Sequence, residues 1–342
     1  MESNNSTIEK QRITWIDMAK GFGIIFVIFA HLGGGLFTTW MYSFHVPLFF
    51  ILSGFTFNKE TTFSTFLAKK SKSLLLPYLC LGGVILIYYV LAAIISDRFS
   101  MAFLLDLLLQ FLLQRRFLTL WFITALFLLN VISYPLLKLI KNKTLLFFIS
   151  LGIGIIAMVY YSLGGGYVFW NLDASFAAMP FFVIGHICKC NHENIKTFFD
   201  KKIKIFVALI IFLAVNILVL ILNISIGYKV LDMYSSEYGC QPLTYLSAIC
   251  GSFAIIMLSH LFTWKPIIYI GKNSLLYFAW HFNLILPIIT KVLELCGITL
   301  IGYSHIVVNF IFKIILLVVI LLICTVCNLI IEKTKLKFMI GK

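Results

Sequence analysis

The chain predicts an all-α integral membrane protein, a bundle of about ten transmembrane helices. Three observations carry that expectation. Hydrophobic residues make up 61% of the 342 positions and charged residues 12%, against an apolar share of about 45–50% in soluble domains. Mean hydropathy is +1.03. Apolar runs of roughly spanning length recur along the whole sequence, over residues 13–33, 38–57, 74–96, 117–137, 144–163, 174–188, 205–223, 243–262, 274–294 and 306–330, most of them close to the ~20 residues that cross a bilayer.

Each run carries its own signals. The first follows a polar stretch, residues 1–11, and has no convincing small-residue cleavage site, so it reads as a retained helix. It should break at Gly33-Gly34-Gly35. The second contains His45, Pro47 and Ser53-Gly54, more polar and punctuating residues than a span requires. The third is entered through Lys69-Lys70-Ser71-Lys72. Residues Met101 to Gln114 are apolar but too short to cross, which predicts an interfacial or re-entrant helix on the outer side, ending at Arg115-Arg116. The sixth run ends near His186, Cys188, Cys190 and His192, whose spacing fits no standard zinc site, so no metal is expected. The longest outer loop, Ile224 to Pro242, carries Asp232 and Glu237.

The 27 lysines and arginines fix the expected topology. With the N-terminus inside, the clusters at Lys59/Lys69/Lys70/Lys72, Lys138/Lys141/Lys143, Lys189 to Lys204, Lys265/Lys272 and Lys333 to Lys342 all fall on the cytoplasmic side. Only Arg98, Arg115, Arg116, Lys229 and Lys291 then lie outside. Both termini are expected in the cytoplasm, with residues 1–342 forming a single membrane-embedded domain. The net charge of +14 follows from this asymmetry and calls for the lipid bilayer as partner, with no nucleic acid. Eight scattered cysteines predict no disulfide framework.

Ionisable groups at membrane depth usually mark function. Lys20 and His31 are eleven residues apart in the first run, which on a helix brings them within about 20° of one direction. Asp17 lies within about 40° of His31 on the other side. The Lys20-to-His31 rise is about 16 Å, around half of the ~30 Å hydrocarbon core. A neutral imidazole at His31 suits general-base work or an acyl-imidazole intermediate. Lys20 and Asp17, three residues apart near the cytoplasmic end, could simply neutralise one another, or Lys20 would present charge to an anionic donor or a developing oxyanion, with Asp17 orienting it. Arg115 and Arg116 could grip an acidic or phosphorylated acceptor, or serve as interfacial anchors. His281, in the ninth run, could be a second acid/base or a packing hydrogen bond.

Trp15-Ile16-Asp17, Lys20 with ten residues to His31, and Phe44-His45-Val46-Pro47-Leu48-Phe49-Phe50 leading to Ser53-Gly54 resemble the opening of the membrane-bound acyltransferase family 3. Leu120 to Phe127, Asp173 with Pro180-Phe181-Phe182 and Gly185, and Ile270 to Leu275 followed by His281 resemble its later segments. The resemblance implies transfer of an acyl group, commonly acetyl from acetyl-CoA, to hydroxyls of a surface polysaccharide or lipid-linked glycan in a bacterial cytoplasmic membrane. It makes His31 the base and gives Lys69 and Lys72 to the CoA phosphates. Lysine stands there where the family usually has arginine, which implies point-charge rather than bidentate binding. His45 would orient His31 or the acceptor. The alternative expectation is a polytopic transporter or flippase of glycan precursors, with the same buried charges lining a translocation route.

Overall fold

The computed structural model describes residues 13–58, 62–114, 116–228, 231–297 and 306–342. Arg115 and the polar stretch 1–11 lie outside the described residues. Among the described residues ten helices are long and apolar enough to cross a membrane, at the positions that hydropathy predicts. The protein is therefore a multi-pass, all-α membrane bundle.

In chain order the helices are α1 Thr14–His31, α2 Leu36–Tyr42, α3 His45–Thr56, α4 Phe63–Lys70, α5 Leu76–Ile95, α6 Met101–Leu113, α7 Trp121–Leu139 and α8 Lys143–Ser162. Then follow α9 Leu172–Cys190, α10 His192–Phe199, α11 Lys202–Ser225, α12 Gln241–Leu261, α13 Lys265–Lys272, α14 Ser274–Trp280, α15 Leu286–Leu295 and α16 Ile306–Lys333. Helices α1, α3, α9 and α12 pack on one another at the centre, with α8 against α9 and α11 against α12 on the periphery. The outer helices turn residues such as Ile87, Ile156, Ile211 and Leu322 outward, which lipid tails accept at no cost. Gly54 of α3 and Gly185 of α9 let two central helices touch backbone to backbone: a Cβ on Gly54 would collide with the Phe182 carbonyl, and one on Gly185 with the Ile51 carbonyl.

Breaks in the helices follow from glycine and proline. Helix α1 stops at His31, and the chain turns through Gly33 and Gly35 at φ +100° and +106°, a conformation that glycine adopts without strain. The second run, expected as one helix, divides into α2 and α3 at Ser43-Phe44. Pro47 has no N–H for the Ser43 carbonyl and its ring crowds that position, so the helix restarts at His45. Two spans contain a π turn, and both turns are followed by Leu-Pro. Ser71–Leu75 precedes Leu76-Pro77, and His281–Ile285 precedes Leu286-Pro287. The amides of Leu76 and Leu286 reach back to the Ser71 and His281 carbonyls, so the register widens by one residue where proline cannot continue the ordinary ladder.

Helix α6 is a separate element of 13 residues, about 20 Å long and too short to span. It ends in the left-handed residue Gln114, whose Nε2 donates to the Tyr78 hydroxyl at 3.0 Å. Three short helices near the lysine clusters, α4, α10 and α13, have no counterpart in the hydropathy pattern because each is only eight residues long. All eight cysteines are free thiols.

Candidate active site

His31 is the last residue of α1, and its partner comes from the far end of the chain. Its Nδ1 lies 2.8 Å from Nε2 of His281, with ring centroids 5.0 Å apart. The backbone settles which nitrogen carries each proton. His281 Nδ1 lies 2.8 Å from the Tyr277 carbonyl and 2.9 Å from that of Phe278. Carbonyls only accept, so His281 is protonated at Nδ1 and offers the Nε2 lone pair. His31 therefore donates from Nδ1 to His281 and keeps an unprotonated Nε2, the nitrogen a general base needs. His281 is buried and opens the π turn that Pro287 imposes, within bonding reach of both carbonyls.

His31 lines a cavity of about 250 Å³ with His45, Tyr42, Val46, Thr119, Trp121, Phe278, Phe282 and residues 231–234. His45, buried at the start of α3, donates from Nδ1 to the Met41 carbonyl at 2.8 Å and meets the Tyr42 ring edge-on at 5.0 Å. His281 stands behind His31 rather than on the wall. Across the cavity, Asp232 and Glu237 exchange both backbone hydrogen bonds, at 2.7 and 2.9 Å, and fold their loop into a tight turn.

Arg116, expected near an outer mouth, does not line this chamber. It is 4% exposed and ion-paired to Asp173 of α9, also 4% exposed. Its Nη2 donates to Ser236 Oγ at 2.6 Å, and its guanidinium lies over Trp121 and Tyr167, 5.4 and 5.2 Å from their centroids. Tyr161 donates to the same Asp173 oxygen at 2.6 Å. The arginine thus ties the 231–240 loop and the Trp121 wall to the bundle. Burial pushes the nearby Tyr238 hydroxyl above the ordinary tyrosine range, so it stays protonated.

Lys20 opens on a second cavity, about 380 Å³, also lined by Lys70, Lys272, Lys342, Ser53, Thr56, Ser73 and Asn130. Lys342 Nζ donates to Asn273 Oδ1 at 2.6 Å and pairs with Glu332. Asn130 Nδ2 donates to Ser53 Oγ at 3.3 Å, while the buried Asn130 Oδ1 has no partner. Lys69 and Lys72 are exposed and do not line this cavity, whereas Lys70 between them does. Asp17 is buried and opens instead on a cleft with Lys265 and Lys272. Phe278 lines both chambers, and its ring sits 4.8 Å from that of Phe122. Lys20 and His31, expected on one face of α1, thus open on two chambers that meet at an aromatic partition. Among the described residues no group of three or more His, Cys, Asp or Glu side chains could hold a metal ion.

The sequence singled out His31, His45, Lys20 and His281, and the structure brings His31 and His45 to one chamber, with His281 behind His31, and Lys20 to the other. It did not single out Lys70 or Tyr42, and it noted Asp232 only as a loop residue. The available signal for Lys70 was its place next to a segment ending in Leu-Pro.

Ten spans with an imidazole pair and a lysine-lined chamber among them define a polytopic membrane protein with polar groups gathered inside its bundle. A family model described as an acyltransferase domain matches residues 13–329, and the chain belongs to this family, acyltransferase family 3. It is a membrane acyltransferase. No curated protein and no solved structure is significantly similar to it.

Proposed function

We propose that the protein moves an acyl group, acetyl in the first instance, from cytoplasmic acyl-CoA to a hydroxyl of a surface glycan or its lipid-linked precursor, in a bacterial cytoplasmic membrane. The observation that carries this is the His31–His281 hydrogen bond, which leaves His31 Nε2 unprotonated on a chamber wall. The lysine chamber, with Lys20, Lys70, Lys272 and Lys342, is the donor side, its charges matched to the CoA phosphates. Lysine-rich segments belong on the cytoplasmic face, where acyl-CoA is made.

His31 Nε2 takes the proton from the acceptor hydroxyl as the oxygen attacks the thioester carbonyl carbon. The C–S bond breaks, the ester forms, and the imidazolium returns its proton to the leaving thiolate. His281 holds the His31 ring and its tautomer through the step. The acyl-bearing arm reaches His31 beside Phe278, over the roughly 16 Å that separates Lys20 from His31 along α1.

The test is the O-acetyl content of surface glycans, by NMR, in a host lacking the gene and complemented with wild type or His31→Ala at matched membrane abundance. Acetylation restored by wild type alone, with glycan amount unchanged, is the expected result. Unchanged acetylation with altered glycan export would overturn it in favour of transport.

A further inference from the structure

The His31 chamber has an electrostatic character distinct from that of the lysine chamber. Among the described residues Asp232 is the one carboxylate on its wall, and no lysine or arginine lines it. Arg116, behind Trp121, pairs with Asp173 and donates to Ser236 through Nη2, while its Nε and Nη1 make no hydrogen bond among the described residues. Asp232 accepts from the Tyr234 amide at Oδ1, 2.9 Å, and from Ser235 Oγ at Oδ2, 2.7 Å. A carboxylate has about four lone-pair sites, so each oxygen can accept one bond more. The rings of Tyr42, Trp121, Tyr234 and Phe282 supply aromatic faces of the wall beside its aliphatic side chains.

An acceptor bound here meets flat aromatic faces, a fixed negative charge with unused acceptor capacity, and a neutral base. That combination suits a ring bearing adjacent hydroxyls, which donate to a carboxylate while the C–H face packs on aromatics. It opposes a second anion: a uronate or phosphate would sit against Asp232 in a partly buried space that no described lysine or arginine lines, and the one guanidinium behind the wall is already paired with Asp173, so the repulsion selects by rejecting the wrong partner. We infer that the acceptor is an uncharged pyranosyl residue, and that Asp232 is the specificity-determining residue that binds its hydroxyls and excludes acidic sugars. This rests on the proposed acyl transfer to a glycan.

The experiment uses the full-length protein in nanodiscs, radiolabelled acetyl-CoA, and two soluble acceptors that differ only at C6, an alkyl glucoside and the matching glucuronide. Wild type is expected to favour the glucoside by at least about 10-fold in kcat/KM. Asp232→Asn keeps an oxygen for the Tyr234 amide, so the turn survives. It should narrow the preference to about 3-fold or less, chiefly by lowering the KM for the glucuronide. Asp232→Ala should raise the KM for the glucoside about 10-fold. A purely structural role for Asp232 would depress both acceptors equally. A wild type that prefers the glucuronide, or a ratio indifferent to Asp232→Asn, overturns the inference. His31→Ala runs alongside: absence of His31-dependent transfer to either sugar defeats the proposed function itself, whereas His31-dependent transfer with an indifferent ratio defeats only the role of Asp232.

Discussion

The two chambers are built the same way and filled oppositely. Each takes part of its wall or its support from a π turn followed by Leu-Pro: Ser73 and Leu74 of one turn line the lysine chamber, and His281 of the other supports the base. In both, a proline that cannot continue the helical ladder shifts the register and turns a side chain or carbonyl inward. The contents then diverge. One chamber gathers four lysines with serine, threonine and asparagine; the other has two imidazoles, aromatic rings and a single carboxylate. Backbone geometry makes the spaces, and side-chain charge gives each its own electrostatic character.

The sharpest way to separate the chambers is to remove His281. His281→Ala removes the imidazole that accepts from His31 Nδ1 and leaves the Val27 carbonyl as its remaining partner, so kcat should fall about 10–100-fold while the KM for acyl-CoA stays put. His281→Asn, whose amide oxygen can accept in place of Nε2, should recover part of the loss; steady-state kinetics in nanodiscs read both. Next in size, Lys70→Met or Lys20→Met should raise the donor KM by about 10-fold each with little change in turnover at saturating donor, and the increase should shrink as salt is added. A fall in kcat with unchanged donor KM would break the division of labour between the chambers. The smallest effects belong to the prolines. Pro287→Ala restores an amide and lets the turn relax toward α, which should lower kcat a few-fold through His281; Pro77→Ala should instead move the donor KM.

How much of this was legible in the sequence depended on the range of the interaction. The ten spans follow from hydropathy, because in lipid every backbone group must be bonded within its own helix. Lys20 and His31 stood out because one helix fixes their phase and spacing. The partnership of His31 with His281 spans 250 positions, and the Arg116–Asp173 pair spans 57. Nothing local encodes either contact. The preference for Lys69 and Lys72 over Lys70 rested on the family motif; the cavity is reached instead by the residue just before the π turn, a change of phase that regular helical geometry does not anticipate. Asp232 was visible only as a charge on a loop, since the loop's return onto the bundle is fixed by Ser236 and the buried arginine.

The bond between the two imidazoles also sets an order of events in biogenesis. Membrane insertion proceeds from the N-terminus, so a chain that has inserted its first eight spans already carries Lys20, His31 and Lys70 but lacks the partner that orients the base. His281 arrives with the ninth span. On the proposed mechanism a half-inserted chain therefore carries Lys20 and Lys70 without Lys272, Lys342 or the histidine that orients His31, and both chambers are completed only by the C-terminal part of the chain.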